Sequence, residues 1–310
     1  MRTKPWLVVG ILALVACGPS SRNNGHGDDD GRDGANGSCS PENTPAACSD
    51  GVDNDCDGEV DCADPDCSGV GSCPVCGQVD NPLSSPLVLP DGACGTNDNG
   101  NCSCTTDANC ANIQPAGQHC FTIGAGDLEC RASYIAKLHY MSFGANQVFQ
   151  DGDLTSVCVV MEHSWVRDLE IQLVAPSGQI VQLQKFLGQT GSEIYLGKAN
   201  DCDTDANPVP GVGAMYCWSP TATKPDMLNY ANGGGTMASV IGCDGESHVE
   251  MPPDTYSAAD PWSNLNGAMM NGDWELRVTD LWPEDNGYIF SWSITWNINA
   301  IQDCTGPIIL

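Results

Sequence analysis

Basic residues are scarce in this chain. Its 310 residues carry 11 Lys and Arg against 40 Asp and Glu, a net charge of −29. A surface of that sign cannot hold nucleic acid by neutralising phosphates, and it offers no basic patch to an anionic membrane. Aromatic residues make up only 6%, and apolar residues at helical spacing are rare. After Ala16 no apolar run approaches the roughly 20 helical residues needed to span a bilayer. Gly-x-Ser-x-Gly, His-Glu-x-x-His and P-loop patterns are also missing, so the familiar signatures of esterase, zinc-peptidase and nucleotide chemistry are absent.

Cysteine is abundant, with 19 in the chain. Arg2 and Lys4 precede an apolar run from Trp6 to Ala16, the form of a secretory signal. It ends in Leu14-Val15-Ala16-Cys17, which resembles the bacterial lipobox. That resemblance implies cleavage after residue 16, a diacylglycerol on the Cys17 thiol, and a place in the cell envelope. The membrane partner is then the lipid alone. Gly18 rather than Asp after Cys17 points to the outer membrane or cell surface. Without the lipobox, an ordinary signal peptide remains the other reading. Cleavage removes Arg2 and Lys4, leaving nine basic against forty acidic residues, a net −31. Eighteen cysteines then remain, an even number, which in an exported protein reads as a disulfide framework. The alternative, zinc, finds only Cys73-x2-Cys76 at knuckle spacing and no second pair.

Beyond the signal, composition divides the chain. Residues 17–38 are rich in Gly, Asn, Asp and Ser with no large apolar side chain, a flexible tether in which His26 is solvated. Residues 39–132 hold thirteen cysteines and little that could form a core; such a segment depends on staples. Residues 133–300 alternate apolar and polar positions in short runs: "LTSVCVVM", "LEIQLVAP", "IVQLQ", "WELRVTD" and "FSWSITW". Each predicts a strand with one buried face. The fold class expected is all-β, a jelly-roll sandwich after a mostly irregular disulfide-rich segment, with residues 301–310 as a tail.

Within the Cys-rich segment, "DGVDNDCDGEVDCADPDC" (residues 50–67) sets eight carboxylates among three cysteines with no Lys, Arg or His. Like charges at this density favour an open chain unless a cation joins them. Asp53, Asp55 and Asp57 fall at positions 1, 3 and 5 of a loop, Gly58 at 6, Asp61 at 9 and Asp64 at 12. Glu59, at position 7, would offer its backbone carbonyl. This is the spacing of an Asp-x-Asp-x-Asp-Gly calcium loop, in which hard oxygens surround a hard cation. No helical pattern flanks it, so it is not an EF-hand. It resembles the Cys/Asp-rich metal-binding motif of bacterial surface proteins and the thrombospondin type 3 repeat, with Cys48, Cys56, Cys62 and Cys67 tying the loop. A solvated acidic loop is the plainer alternative.

"HSWVRDLEIQLVAPSG" and "NGDWELRVTDLWPEDNGYIFSWSITW" resemble the P domain (P/Homo B domain) that follows the catalytic domain of kexin-like and furin-like subtilisin proteases. The matching positions are His163, Asp168, Leu169, Leu173, Pro176, Ser177 and Gly178, then Leu265, Gly267, Gly272, Trp274, Leu276, Val278, Asp280, Asp285, Gly287 and Trp292. The resemblance covers residues 140–298 and implies a jelly roll. It also permits a second cation where Asp168, Asp280 and Asp285 meet, although carboxylates capping turns would read the same way. Arg167 departs from the family's Gly, and residues 197–250 form an insertion with Cys202, Cys217 and Cys243. His163 is expected to be a hydrogen-bonded structural histidine. Trp165, Trp262 and Trp282 lie beside loops, either packing over backbone or offering an aromatic surface to a glycan or protein.

No catalytic domain accompanies this P-like region. "GGGTMAS" at 233–239 approaches a subtilisin nucleophile segment but lacks the serine between Thr236 and Met237, and Ser239 does not replace it. The sequence therefore predicts a non-catalytic, calcium-stabilised, lipid-anchored binding or scaffolding protein. The competing expectation is an accessory subunit of a separately encoded subtilisin-like endopeptidase. Parity adds one more: thirteen cysteines before residue 133 and five after it cannot all pair within their own regions. A cross-link between them is expected, with Cys130 and Cys304 the nearest candidates.

Overall fold

The computed structural model describes residues 39–73, 81–89, 103–111, 118–123, 127–186, 191–203, 208–282, 286–302, 304 and 308–309. The signal segment, Cys17 and the tether lie outside them. By its contacts residues 39–310 form one compact unit. Among the described residues no helix is long and apolar enough to cross a membrane.

The chain is mostly strand. In order these are β1 (Asn81–Val88), β2 (Gln118–Ile123), β3 (Asp127–Ala132), β4 (Tyr134–Tyr140), β5 (Leu154–His163), β6 (Leu169–Val174) and β7 (Ile180–Gln184). Then come β8 (Ala214–Trp218), β9 (Ala238–Ile241), β10 (Ser247–Glu250), β11 (Thr255–Tyr256), β12 (Gly272–Asp280), β13 (Gly287–Trp296) and β14 (Ile308–Ile309). Two five-stranded sheets carry the architecture, ordered β1-β13-β5-β8-β11 and β14-β4-β12-β6-β7. All pairings in them are antiparallel except β8 with β11.

Alternation explains why these runs extend and why the sheets share one core. Val157, Val159 and Met161 of β5 and Trp292 and Ile294 of β13 are buried from one sheet. Ile171 and Leu173 of β6 and Trp274, Leu276 and Val278 of β12 meet them from the other. Trp296 sits edge-on to Tyr140, Phe143 and Trp274, with ring centroids 5.6, 5.2 and 4.8 Å apart. Each large side chain buried this way is worth about 1.5–3 kcal/mol. All five runs read as strands from the sequence are strands.

Strand β1 comes from inside the Cys-rich stretch and pairs with β13 across a register shift between Pro82 and Leu87. Two prolines in Asn81–Val88 hid it, since proline removes ladder donors and fits only edges or bulges. The hairpin β2–β3 is stapled by Cys104–Cys120 and Cys110–Cys130, and Phe121 from it packs with Phe186 and Leu281.

Cys130 therefore corrects an expectation: it pairs with Cys110, the last residue of a short helix, Asp107–Cys110, that packs on the hairpin, and not with Cys304. Cys158–Cys217 and Cys202–Cys243 close within the later region. Cys304 is disulfide-bonded, and the expected cross-link between the two regions falls on residues outside those described. The Cys304 N–H also donates to the Ala63 carbonyl at 3.1 Å, so the tail is in contact with the acidic segment.

Candidate metal centre

Residues 39–73 have almost no apolar core. Three disulfides, Cys39–Cys56, Cys48–Cys67 and Cys62–Cys73, hold them, with short 3-10 turns at Ala47–Ser49, Asp61–Ala63 and Pro65–Cys67. Cys56 and Asp61 have φ of 65° and 53°, a region that costs a non-glycine residue about 1–3 kcal/mol. The Cys39–Cys56 bridge holds the first. A hydrogen bond from the Asp61 N–H to Glu42 Oε1 at 2.5 Å holds the second. Gly58, at φ 105°, makes the turn expected of it and donates its N–H to Asp53 Oδ2 at 3.1 Å.

The carboxylates converge. Ligand atoms of Asp55, Asp57 and Asp64 lie within 4.8 Å of one another, and so do those of Glu42, Asp53 and Asp55. Asp64 is only 1% exposed; its Oδ1 accepts from the Asp66 N–H at 2.7 Å. Its Oδ2 is buried with no hydrogen-bond partner, as is Asp53 Oδ1. Burial, reinforced by the charges of Asp57, Asp55 and Asp66 against the Asp66 N–H bond, pushes the Asp64 carboxyl up to about 6. Asp55 is raised too, by burial first and then by Asp57, Asp66 and Asp53, against an opposing bond from the Asp57 N–H. Orphaned buried oxygens among like charges are what a metal ion would satisfy. These groups can hold one.

Asp61 stands apart from both groups; its two oxygens accept from the Gly51 N–H at 3.0 and 3.1 Å. Glu59 donates its N–H to Asp57 Oδ1 at 2.9 Å. Glu42, which the loop pattern does not contain, is fully buried and accepts from Asn54 and Asp61 N–H groups. It lies eleven residues before Asp53, so no local motif could name it. The thiols beside these acids are spent: Cys67 and Cys73 are in disulfides, as are Cys104, Cys110 and Cys130. The Cys73-x2-Cys76 zinc spacing loses Cys73 to Cys62 for the same reason.

Of the second expected cluster, Asp168 and Asp280 are described. Asp280 Oδ2 lies 3.3 Å from His163 Nε2, both side chains fully buried, and Asp280 Oδ1 accepts from the Trp282 N–H at 2.9 Å. His163 Nδ1 accepts from the Trp165 N–H at 3.0 Å. Asp168 is 3% exposed and its carbonyl accepts from the Leu281 N–H. Asp285 lies outside the described residues. Among those described, neither Asp168 nor Asp280 joins a group with metal-ligand spacing. Trp282 is 39% exposed, and Trp262 lines a cleft of about 360 Å³ with Phe149, Asp151, Pro220 and Pro261. Ser239 sits within β9, opposite Val249.

No protein-family model matches the chain, and no curated protein matches it. Similarity among solved structures is slight. A serine protease of Aeromonas sobria in complex with its chaperone, and the same protease by itself, align at 13% and 12% identity with TM-scores of 0.22 and 0.21. An exo-beta-agarase aligns at 14% identity with a TM-score of 0.20. The protease alignments take in 71% of this chain and 27% of those chains; the agarase alignment takes in 58% and 22%. The chain thus spans about a quarter of each protein it matches. At these scores the likeness carries no functional argument.

Proposed function

We propose that this chain is a non-catalytic, lipid-anchored binding or scaffolding protein of the cell surface. Its Cys/Asp-rich segment is held by calcium, and its two sheets form a P-domain-like jelly roll. The observation that carries the calcium reading is the pair of orphaned oxygens, Asp64 Oδ2 and Asp53 Oδ1, buried amid Asp55, Asp57 and Glu42. Every candidate ligand atom is a hard oxygen because the neighbouring sulfurs are spent in disulfides, and a hard cation with a large, flexible oxygen shell suits that set. The non-catalytic reading rests on the sequence, in which no nucleophile segment of the subtilisin type accompanies the P-like region.

Calcium titrated calorimetrically into the mature chain should bind, and Asp55→Ala with Asp57→Ala should abolish binding to the loop. Unchanged heats in that double variant would refute the loop assignment. A pull-down from native envelopes, with and without chelator, identifies the partner. A co-purifying subtilisin-like protease would replace the scaffold reading with that of an accessory subunit.

A further inference from the structure

Strand β5 turns Val157, Val159 and Met161 into the core, so Glu162 points to the opposite face of its sheet. That face should be wet, yet Glu162 is fully buried. Among the described residues the cover is backbone of residues 197–203 and 208–213. Lys198 and Val212 exchange N–H···O bonds at 2.9 Å, and Gly211 donates its N–H to Glu162 Oε1 at 3.2 Å. A Cβ on Gly211 would come within 2.1 Å of the Lys198 carbonyl, so only glycine lets the cover close this tightly.

Two further groups share that face. Tyr288 pairs with Glu162 across β13 and β5, and Gly287 with His163, which puts Asn286 at the head of the same strand pair. The Asn286 Nδ2 amide donates to Asp203 Oδ1 at 2.8 Å, and Asp203 Oδ2 accepts from the Val209 N–H. Two acceptors lack a hydrogen bond of good geometry: Glu162 Oε2 and Asn286 Oδ1 are buried without one, and beyond Gly211 only the Asn200 backbone N–H acts on the Glu162 carboxylate, as a weaker contact. Among the described residues no Lys or Arg forms an ion pair with Glu162 or Asp203. A covered carboxylate with an orphaned oxygen, beside a second carboxylate and an orphaned amide carbonyl, is costly until something positive joins them.

We infer that Glu162, Asp203 and Asn286 form a second cation site on the outer face of the sheet, beneath the cover given by residues 197–203 and 208–213. All three offer hard oxygens, the ligand class of calcium and related ions. The site is independent of the acidic loop and distinct from the His163–Asp280 pair, whose histidine points into the other face. A cleft of about 190 Å³, lined by Lys198, Asn200, Pro210 and Gly211 among others, lies against the same cover. In the absence of a cation, burial first, with the charge of Asp203, pushes the Glu162 carboxyl up to about 7. A proton is therefore the competitor for this place.

Calcium titrated into the mature chain carrying Asp55→Ala and Asp57→Ala tests this with the loop out of play. A remaining binding event is expected, and Glu162→Gln or Asn286→Ala should weaken it about ten-fold or more. Saturating calcium should raise the unfolding midpoint of the double variant but not of its Glu162→Gln derivative. Should the double variant fail to fold, Glu162→Gln alone must lower the calcium stoichiometry of the otherwise native chain by one. No calcium uptake outside the loop, or equal affinity with Glu162→Gln, overturns the site and leaves a buried protonated acid. Loss confined to the Asp55/Asp57 variant speaks only to the loop, so the two readings fail separately.

Discussion

The acidic segment and the sheets are held by opposite means. In residues 39–73 the buried side chains are cysteines together with Glu42 and Asp64, and what closes the chain is covalent bonds around converging negative charge. In the sheets it is a continuous apolar core with Trp274, Trp292 and Trp296 at its centre. The first arrangement is soft to chelator, pH and reductant, because each acts on a term it depends on. The second rests chiefly on packed volume, with Cys158–Cys217, Cys202–Cys243 and the proposed Glu162 site as local additions to it. One chain can thus join an element that depends on converging charge throughout to one that depends on it only locally.

The largest effect should come from the core. Leu276→Ala, in a fully buried position on β12, should cost about 2–5 kcal/mol through lost burial and the cavity left behind, read by denaturant unfolding. Calcium affinity should not move; a parallel loss would show that the two parts are one energetic unit. Next, Cys48→Ser with Cys67→Ser opens a bridge of sequence separation 19 and should cost about 3 kcal/mol in the chain-entropy picture. Here calcium affinity should fall with it, since Glu42 and Asp64 pack beside those sulfurs.

The range of the forces explains why the sheets were legible and the acidic centre only half so. Two-residue alternation is local, so Leu154–His163 and Gly272–Asp280 announce themselves. So does the Asp-x-Asp-x-Asp-Gly spacing, and Asp53, Asp55, Asp57 and Asp64 do gather. Glu42 was hidden because its place is fixed by backbone N–H groups of Asn54 and Asp61 that only the folded loop presents. Asp61 has the right spacing and a different partner, Gly51. The Cys110–Cys130 pairing depends on a hairpin, Gln118–Ala132, with weak strand signals. The Glu162 cluster unites residues 162, 203 and 286, which no spacing rule could connect.

The smallest effect belongs to His248. Its ring stacks on Tyr195 at 4.4 Å and lies between Glu193 and Asp244, at 3.0 and 3.1 Å. Hydrogen bonds to those carboxylates, Glu193 first, raise the imidazole above its ordinary value. A raised histidine contributes stability that is full below its unfolded pKa, about 6.5, and fades as pH rises through the folded value. His248→Asn should therefore lower the melting temperature slightly at pH 5 and leave it unchanged at pH 9. An equal loss at both would assign the ring to packing alone.

The proposed cation centre is tested most directly by Asp64→Asn, measured twice. The substitution keeps the shape but removes a buried charge whose Oδ2 has no partner. With chelator present the variant should melt at or above the temperature of the natural chain, because repulsion from Asp55 and Asp57 is relieved. With saturating calcium it should melt lower, because the natural chain gains from the ion and the variant gains little. That crossing of the two curves is the predicted result. If Asp64→Asn shifts both melts alike, or calcium stabilises the two chains equally, the buried carboxylates are not there to hold a cation.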